Sequence, residues 1–228
     1  VAAPPLSEFF AAYHRQRGVE ILTGGQVAGF AGGSDGFVRA VLLEDGREIA
    51  CDAALVGVGA LPNIELAQAA GLVCDNGVVV DEQARTSDPA IFAIGDVTRR
   101  PMPLYDGIMH RLESVPNALE QARQAASALT GRPAPAPEVP WFWSDQYDLK
   151  LQIAGAPFGA DRMVVRGDPA TARFSVCHLA GERLVCVEAC NAPADFMGGK
   201  LLIGRRARVD AARLADPAAP LKTLEVAA

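Results

Sequence analysis

Residues 86–97, Thr-Ser-Asp-Pro-Ala-Ile-Phe-Ala-Ile-Gly-Asp-Val, constrain the fold of this chain more than any other stretch. The apolar run Ala90–Ile94 is short and ends in Gly95 and then a single acid, Asp96. Such a run reads as a strand buried on both faces, the habit of parallel sheets in α/β proteins. Open sheets of that class bind ligands beyond the carboxyl ends of their strands, so Asp96 is expected at that edge. Its carboxylate can accept hydrogen bonds from sugar-like hydroxyls. The spacing alone fits equally well a strand followed by an Asp-containing turn.

At 228 residues the chain can hold one large domain or two smaller ones, and half of it is apolar, a globular composition. No apolar run approaches the roughly 20 residues that span a bilayer. The start, Val1-Ala-Ala-Pro-Pro, has neither an initiator Met nor a charged-then-apolar leader, so the chain is expected to begin inside a longer protein. Cys51, Cys74, Cys177, Cys186 and Cys190 form no even framework and no C-x-x-C pair. They read as buried structural thiols in a reducing cytoplasm, and three scattered histidines add no metal-binding spacing.

The net charge of −6 is uneven. Residues 1–138 carry 10 basic and 17 acidic side chains, whereas residues 139–228 carry 11 and 10. Lys200, Arg205, Arg206, Arg208 and Arg213 crowd into fourteen residues with only Asp210 opposing them locally. That cluster reads as a solvated face or as a patch that steers an acidic partner. The acidic total, with no binding motif, speaks against nucleic acid.

Leu6–Arg17 has helical spacing with Ser7 near its start. Strands are expected at Val19–Leu22, Val27–Phe30, Phe37–Leu43, Glu48–Cys51, Ala54–Val58 and Val78–Val80, with a short helix over Glu65–Ala70. Pro116–Thr130 is the clearest helix, with Leu119, Ala122, Ala126 and Leu129 as its buried stripe and Gly131 and Pro133 as its stop. The Pro-rich stretch Arg132–Glu138 marks a domain boundary. Beyond it Leu151–Ala154, Arg162–Arg166, Ala172–Leu179 and Arg183–Ala189 read as a meander, and Asp195–Gly204 and Ala207–Leu214 as helices.

Three further constellations bear on chemistry. In Glu113-Ser-Val-Pro-Asn-Ala-Leu-Glu-Gln-Ala122 a helix starting near Val115 presents backbone N–H groups and the positive end of its dipole, either as a site for developing negative charge or as an ordinary capped start. Glu113 there either faces a ligand or compensates the dipole. Pro140-Trp-Phe-Trp-Ser-Asp-Gln-Tyr147 is either an aromatic seal between domains or a ligand cover in which Trp143 takes part. Val56-Gly-Val-Gly-Ala-Leu-Pro-Asn63 has two glycines but Pro62 where G-x-G-x-x-G needs its third.

In order along the chain, Gly57–Asn63, Thr86–Val97, Arg111–Arg123 and Trp141–Tyr147 resemble the FAD-dependent NADH:ferredoxin reductases of bacterial monooxygenase and dioxygenase systems. The resemblance implies a glutathione-reductase-like flavoprotein, α/β in its two dinucleotide domains and α+β in its C-terminal domain. It implies hydride uptake from NADH by FAD and single-electron delivery to a [2Fe–2S] ferredoxin that feeds an oxygenase. Carried over by residue, Asp96, Ser114 and Val115 contact FAD, Trp143 lies near the flavin, and Glu113 and Gly59 lie toward the nicotinamide. The basic residues Lys200, Arg205, Arg206 and Arg208 become a ferredoxin dock.

The departure from the family's pattern is the absence of both G-x-G-x-x-G turns. Residues 1–77 would then be the latter part of an NAD domain, 78–133 the returning segment of an FAD domain, 134–138 a linker and 139–228 the C-terminal domain. Without the turns that cradle pyrophosphate, the chain alone is expected to hold neither cofactor stably. A non-enzymatic partner-binding or dimerisation role, as in flavoproteins of the apoptosis-inducing-factor type, and reduction of a small quinone are the alternatives. Whether NADH or NADPH is used is left open.

Overall fold

The computed structural model describes residues 2–226. Its contacts divide the chain into a small unit, Glu8–Leu61, and a larger one made of Val1–Ser7 and Pro62–Ala228. Helix α1 (Pro4–Arg15) runs through the boundary between them.

In the small unit, β1 (Val27–Gly32), β2 (Val38–Leu43) and β3 (Glu48–Ala50) form an antiparallel sheet in that order. The Gly-Gly-Ser-Asp-Gly and Glu-Asp-Gly-Arg turns join them as their composition predicts. Two expected strands are absent. Val19–Leu22 and Ala54–Val58 have no regular structure, and Leu55 and Val58 stand almost fully exposed. A strand exists through its ladder, and among the described residues no partner pairs with either run.

The larger unit begins with α2 (Glu65–Ala69) and β4 (Val78–Val79). β4 pairs in parallel with β5 (Thr98–Met102), which pairs antiparallel with β6 (Ile108–His110). Then come α3 (Val115–Leu129) and the strands β7 (Trp141–Gln146), β8 (Leu149–Gly155), β9 (Arg162–Asp168), β10 (Arg173–Ala180) and β11 (Arg183–Cys190). These five form one antiparallel sheet ordered β7-β8-β11-β10-β9, closed over by α4 (Pro193–Gly204).

The main core lies between that sheet and α4, with Ala154, Cys177 and Val187 from the sheet meeting Phe196, Leu202 and Ile203. The buried Arg166 guanidinium pairs with Asp195 at 2.9 Å and donates to the carbonyls of Leu214, Asp216, Pro217 and Ala219, which fastens the carboxyl-terminal loop. Ala207–Leu214 is therefore not the expected helix. It runs as two isolated bridges and a turn, with Arg208 against Arg183 and Val209 against Glu225. β7 was not foreseen as a strand. Its alternation puts Trp141 toward the core, in ring contact with Phe196 at 5.8 Å.

Tyr105 ties the β5–β6 connection to the sheet. Its hydroxyl donates to the Val185 carbonyl at 2.9 Å and accepts from the Ala156 N–H at 2.8 Å, and burial pushes its pKa well above the ordinary tyrosine value. The three sheet thiols are buried, with Cys177 pushed up to about 12 and Cys190 to about 11 by desolvation, whereas Cys51 and Cys74 are only partly covered. No group of His, Cys, Asp or Glu with metal-binding geometry occurs among the described residues. No helix there is long and apolar enough to cross a membrane.

Candidate functional site

The run Ala90–Ile94 is not the buried strand that its composition suggests. It makes one isolated bridge, Phe92 to Arg85, and its backbone hydrogen bonds go to Ala84, Thr86 and Asp88 in the turn just before it; Ile91 and Ile94 are exposed. Asp96 accordingly lies in the turn that enters β5, at that strand's amino end, rather than at a carboxyl edge. It is exposed, and its carboxylate has no hydrogen bond or ion pair among the described residues.

What fixes this turn is α3. The buried N–H of Gly95 donates to Oε1 of Gln121 at 2.8 Å, and the Thr98 hydroxyl bridges that same oxygen at 2.9 Å and the Gly95 carbonyl at 2.8 Å. The Asn117 amide also donates to Gln121 Oε1, at 3.3 Å, and to the Leu112 carbonyl at 2.9 Å. Behind them the buried Arg100 donates to Asn117 Oδ1 at 3.0 Å and to Glu120 at 2.7 Å. Glu120 also accepts the Glu138 N–H at 2.9 Å, so the end of the Pro-rich linker is tied to the same helix.

The helix is thus turned over relative to expectation. Asn117, Glu120, Gln121 and Gln124 are buried, while Leu119 is 53% and Leu129 is 69% exposed and Ala126 faces out. The polar positions 117, 120, 121 and 124 share one face at the spacing i, i+3, i+4, i+7. That signal was present in the sequence, but the apolar stripe beside it is the ordinary guide to a buried face.

At the start of α3, Ser114 is the N-cap and its hydroxyl accepts from the Asn117 N–H at 3.3 Å. Pro116 has no N–H, and Ala118 donates to the Ser114 carbonyl. Val115, 61% exposed, therefore carries the one donor of the first turn with no partner among the described residues. Glu113 is ion-paired with Arg111. Both line a polar hollow of about 440 Å³ with Asp75, Asn76, Arg99, Met109 and His110, and Arg99 is paired with Asp75 across it.

Trp143 is half exposed on β7 with its ring 5.3 Å from Trp141. Gly59 belongs to the small unit, where its φ of +95° suits glycine and an added Cβ would meet nothing within 4 Å. Glycine there answers to backbone conformation and not to a close neighbour. The basic cluster is less bare than it reads in sequence. Arg205 pairs with Glu225 at 3.2 Å, Arg206 with Asp106, and Arg208 with Glu182, acids that are distant in the chain. Asp106 is held below the usual carboxylate range by its hydrogen bond from Arg206 and by Arg183 nearby. Lys200 stands over the Trp141 ring at 5.0 Å.

The family profile for pyridine nucleotide-disulphide oxidoreductases matches residues 1–122, and the reductase C-terminal profile matches residues 141–225. The chain belongs to the pyridine nucleotide-disulphide oxidoreductase family. It is 56% identical over 226 residues to the probable ferredoxin reductase CtmF of Castellaniella defragrans, covering 99% of this chain and 55% of that protein. It is 47% identical to putidaredoxin reductase CamA of Pseudomonas putida, covering all of this chain and 54% of the relative. Among solved structures it matches putidaredoxin reductase in its covalent complex with putidaredoxin, with a TM-score of 0.94 at 46% identity over 98% of this chain and 54% of that one. The ferredoxin reductase of Rhodopseudomonas palustris matches with a TM-score of 0.92 at 39% identity. This chain spans about half the length of the curated relatives it matches.

Proposed function

We propose that this chain is the carboxyl-terminal part of an FAD-dependent NADH:ferredoxin reductase, which passes electrons from NADH to a [2Fe–2S] ferredoxin that supplies a monooxygenase or dioxygenase. The observation that carries this reading is the joining, through Gln121, of the turn bearing the unpartnered Asp96 carboxylate to the helix whose first turn bears the open Val115 N–H. These groups fit FAD. A free carboxylate suits the hydroxyls of a ribityl chain, and an N–H at the positive end of a helix suits the ring edge that gains negative charge on reduction.

When bound, the flavin supplies the conversion of a hydride's electron pair into single-electron transfers. The residues of this chain bind and orient. Ser114 holds the first turn of α3 in shape. Trp143, half exposed on β7, is the proposed cover of the flavin ring, and Glu113, in the polar hollow with Arg111, is proposed to lie toward the nicotinamide. Gly59, in the small unit, is proposed to lie toward the nicotinamide.

The domain division 1–77, 78–133 and 139–228 is proposed for the whole protein. Its remaining part is inferred to cover the exposed runs Ala54–Val58 and Ala90–Ile94 and the outward stripe of α3, since apolar segments of that kind are normally paired or covered. The buried thiols of the sheet agree with a cytoplasmic location. Lys200 and the arginines at 205, 206 and 208 form the proposed dock for the acidic ferredoxin, with Lys200 the charge that has no acidic partner among the described residues.

The whole protein, purified and desalted, should be yellow, and Asp96→Ala should lose most of its flavin in the same step. A colourless whole protein that takes up no FAD would remove the reading. This chain alone, mixed with FAD and desalted, should come through colourless; retained colour with a shifted flavin spectrum would show that the glycine-rich half is not needed. Lys200→Glu in the whole enzyme should slow ferredoxin reduction and flatten its salt dependence. Unchanged kinetics would remove the dock.

A further inference from the structure

Gln121 is fully buried, and its side chain is used from one end only. Its carbonyl oxygen accepts from the Gly95 N–H, the Thr98 hydroxyl and the Asn117 amide, while its own Nε2 has no hydrogen-bond partner among the described residues. A buried amide nitrogen left without a partner is unfavourable, so a glutamine retained in that state is held for its acceptor. The three donors come from three places. Gly95 is the residue before Asp96, Thr98 opens β5, and Asn117 stands in the first turn of α3, where its own N–H closes the Ser114 cap. One oxygen therefore sets the Asp96 turn against the helix start that bears the open Val115 N–H. The exposed Asp96 carboxylate has no other tether among the described residues.

We propose that Gln121 is a positioning residue for the flavin site: it touches no ligand, and fixes the spacing between the Asp96 carboxylate and the Val115 N–H. This rests on the reading of that site as an FAD site. Loss of the acceptor frees the Gly95–Asp96 turn while α3 keeps its other anchor, the buried Arg100–Glu120 pair at 2.7 Å. Flavin affinity then falls because two binding groups no longer share one geometry.

The test compares three variants of the whole protein. Gln121→Met keeps the volume and removes the acceptor. Gln121→Glu keeps the acceptor and removes the orphaned N–H₂. Gln124→Met removes the neighbouring buried amide, which bonds Glu120 at 3.3 Å and has no bond to the Asp96 turn. FAD dissociation constants are measured by fluorescence well below the melting temperature of each variant. Exchange of the Gly95 amide hydrogen is followed in the same preparations.

Gln121→Met should weaken FAD about tenfold or more and speed Gly95 exchange by a similar factor. Gln121→Glu should stay within about threefold of the parent and Gln124→Met within about twofold, although both methionine variants lower the melting temperature. Equal FAD affinity in Gln121→Met and Gln124→Met would overturn the proposal, as would an FAD loss in Gln121→Glu matching that of Gln121→Met. If Gln121→Met does not fold, Thr98→Val, which removes one of the three donors, should give a loss of about threefold, and no change there would overturn it. A parent protein that binds no FAD would instead overturn the reading of the site itself.

Discussion

The sheet of residues 141–190 and the segment of residues 90–129 lie in one compact unit and treat similar sequence in opposite ways. In β11 every residue from Leu184 to Cys190 is buried, because β10 and β8 flank the strand and α4 covers it. Ala90–Ile94 is just as apolar, yet its backbone bonds only the preceding turn at Ala84–Asp88, and Ile91 and Ile94 stay exposed. The two long helices differ in the same way. α4 presses an apolar face on the sheet, so closely that a Cβ on Gly199 would come within 2.5 Å of the Val187 side chain. α3 buries amides and a carboxylate and turns its leucines outward. An apolar run is buried by the neighbours it finds, and its composition does not guarantee them.

The sharpest way to break this contrast is at the closed end. Gly155 has a φ of +80°, and a Cβ there would overlap the Val185 carbonyl and stand 2.8 Å from the Tyr105 hydroxyl. Gly155→Ala should therefore cost about 4 kcal/mol, from a strained backbone and a forced shift of the sheet. Urea unfolding checks it, and a loss below about 1 kcal/mol would mean that the sheet is looser than its burial implies.

The open end should respond far less. Leu119→Lys combined with Leu129→Lys in this chain should change stability by no more than about 0.5 kcal/mol, because both side chains already face solvent. In the whole protein the same pair should impair flavin retention, if that face is covered as proposed. A loss of 2 kcal/mol or more in the chain alone, on the scale of a buried leucine, would show that the stripe is covered without the rest of the protein.

The smallest effect expected is a slope. His110 is held below its ordinary value of 6.5, first by burial and then by the charges of Arg99 and Arg111. Its ring lies 4.9 Å from that of Phe158. The folded state thus binds this proton less readily than the unfolded chain. The resulting stability is fully present above pH 6.5 and declines as pH falls below it toward the lowered folded value. His110→Gln should make the decline between pH 7 and 5 shallower. An identical slope in parent and variant would remove His110 from the acid response of this region.

Much of the architecture could be read from residue order. The four strands after the Pro-rich linker, the helix after Pro116 and the helix before Gly204 stand close to their expected places, since each carries its own period and its own stops. The blocks around Asp96, Val115 and Trp143 were legible for the same reason, as local patterns of unusual composition. Gln121 was not, because a glutamine in a helix signals nothing until its face is known to be buried. The acids that pair with the basic cluster were equally hidden: Asp106, Glu182 and Glu225 come from far along the chain.

The sequence by itself determined which residues share a helix face or a strand, where those elements stop, and to which family the ordered motifs belong. It determined these because periodicity, caps and turn residues act over a few positions. Only the tertiary structure decided that α3 lies polar side down, that Ala90–Ile94 is left without a ladder, and that one amide oxygen holds the Asp96 turn to the helix start. Periodicity says which side chains stand together, but burial and pairing are settled by partners brought near through the fold.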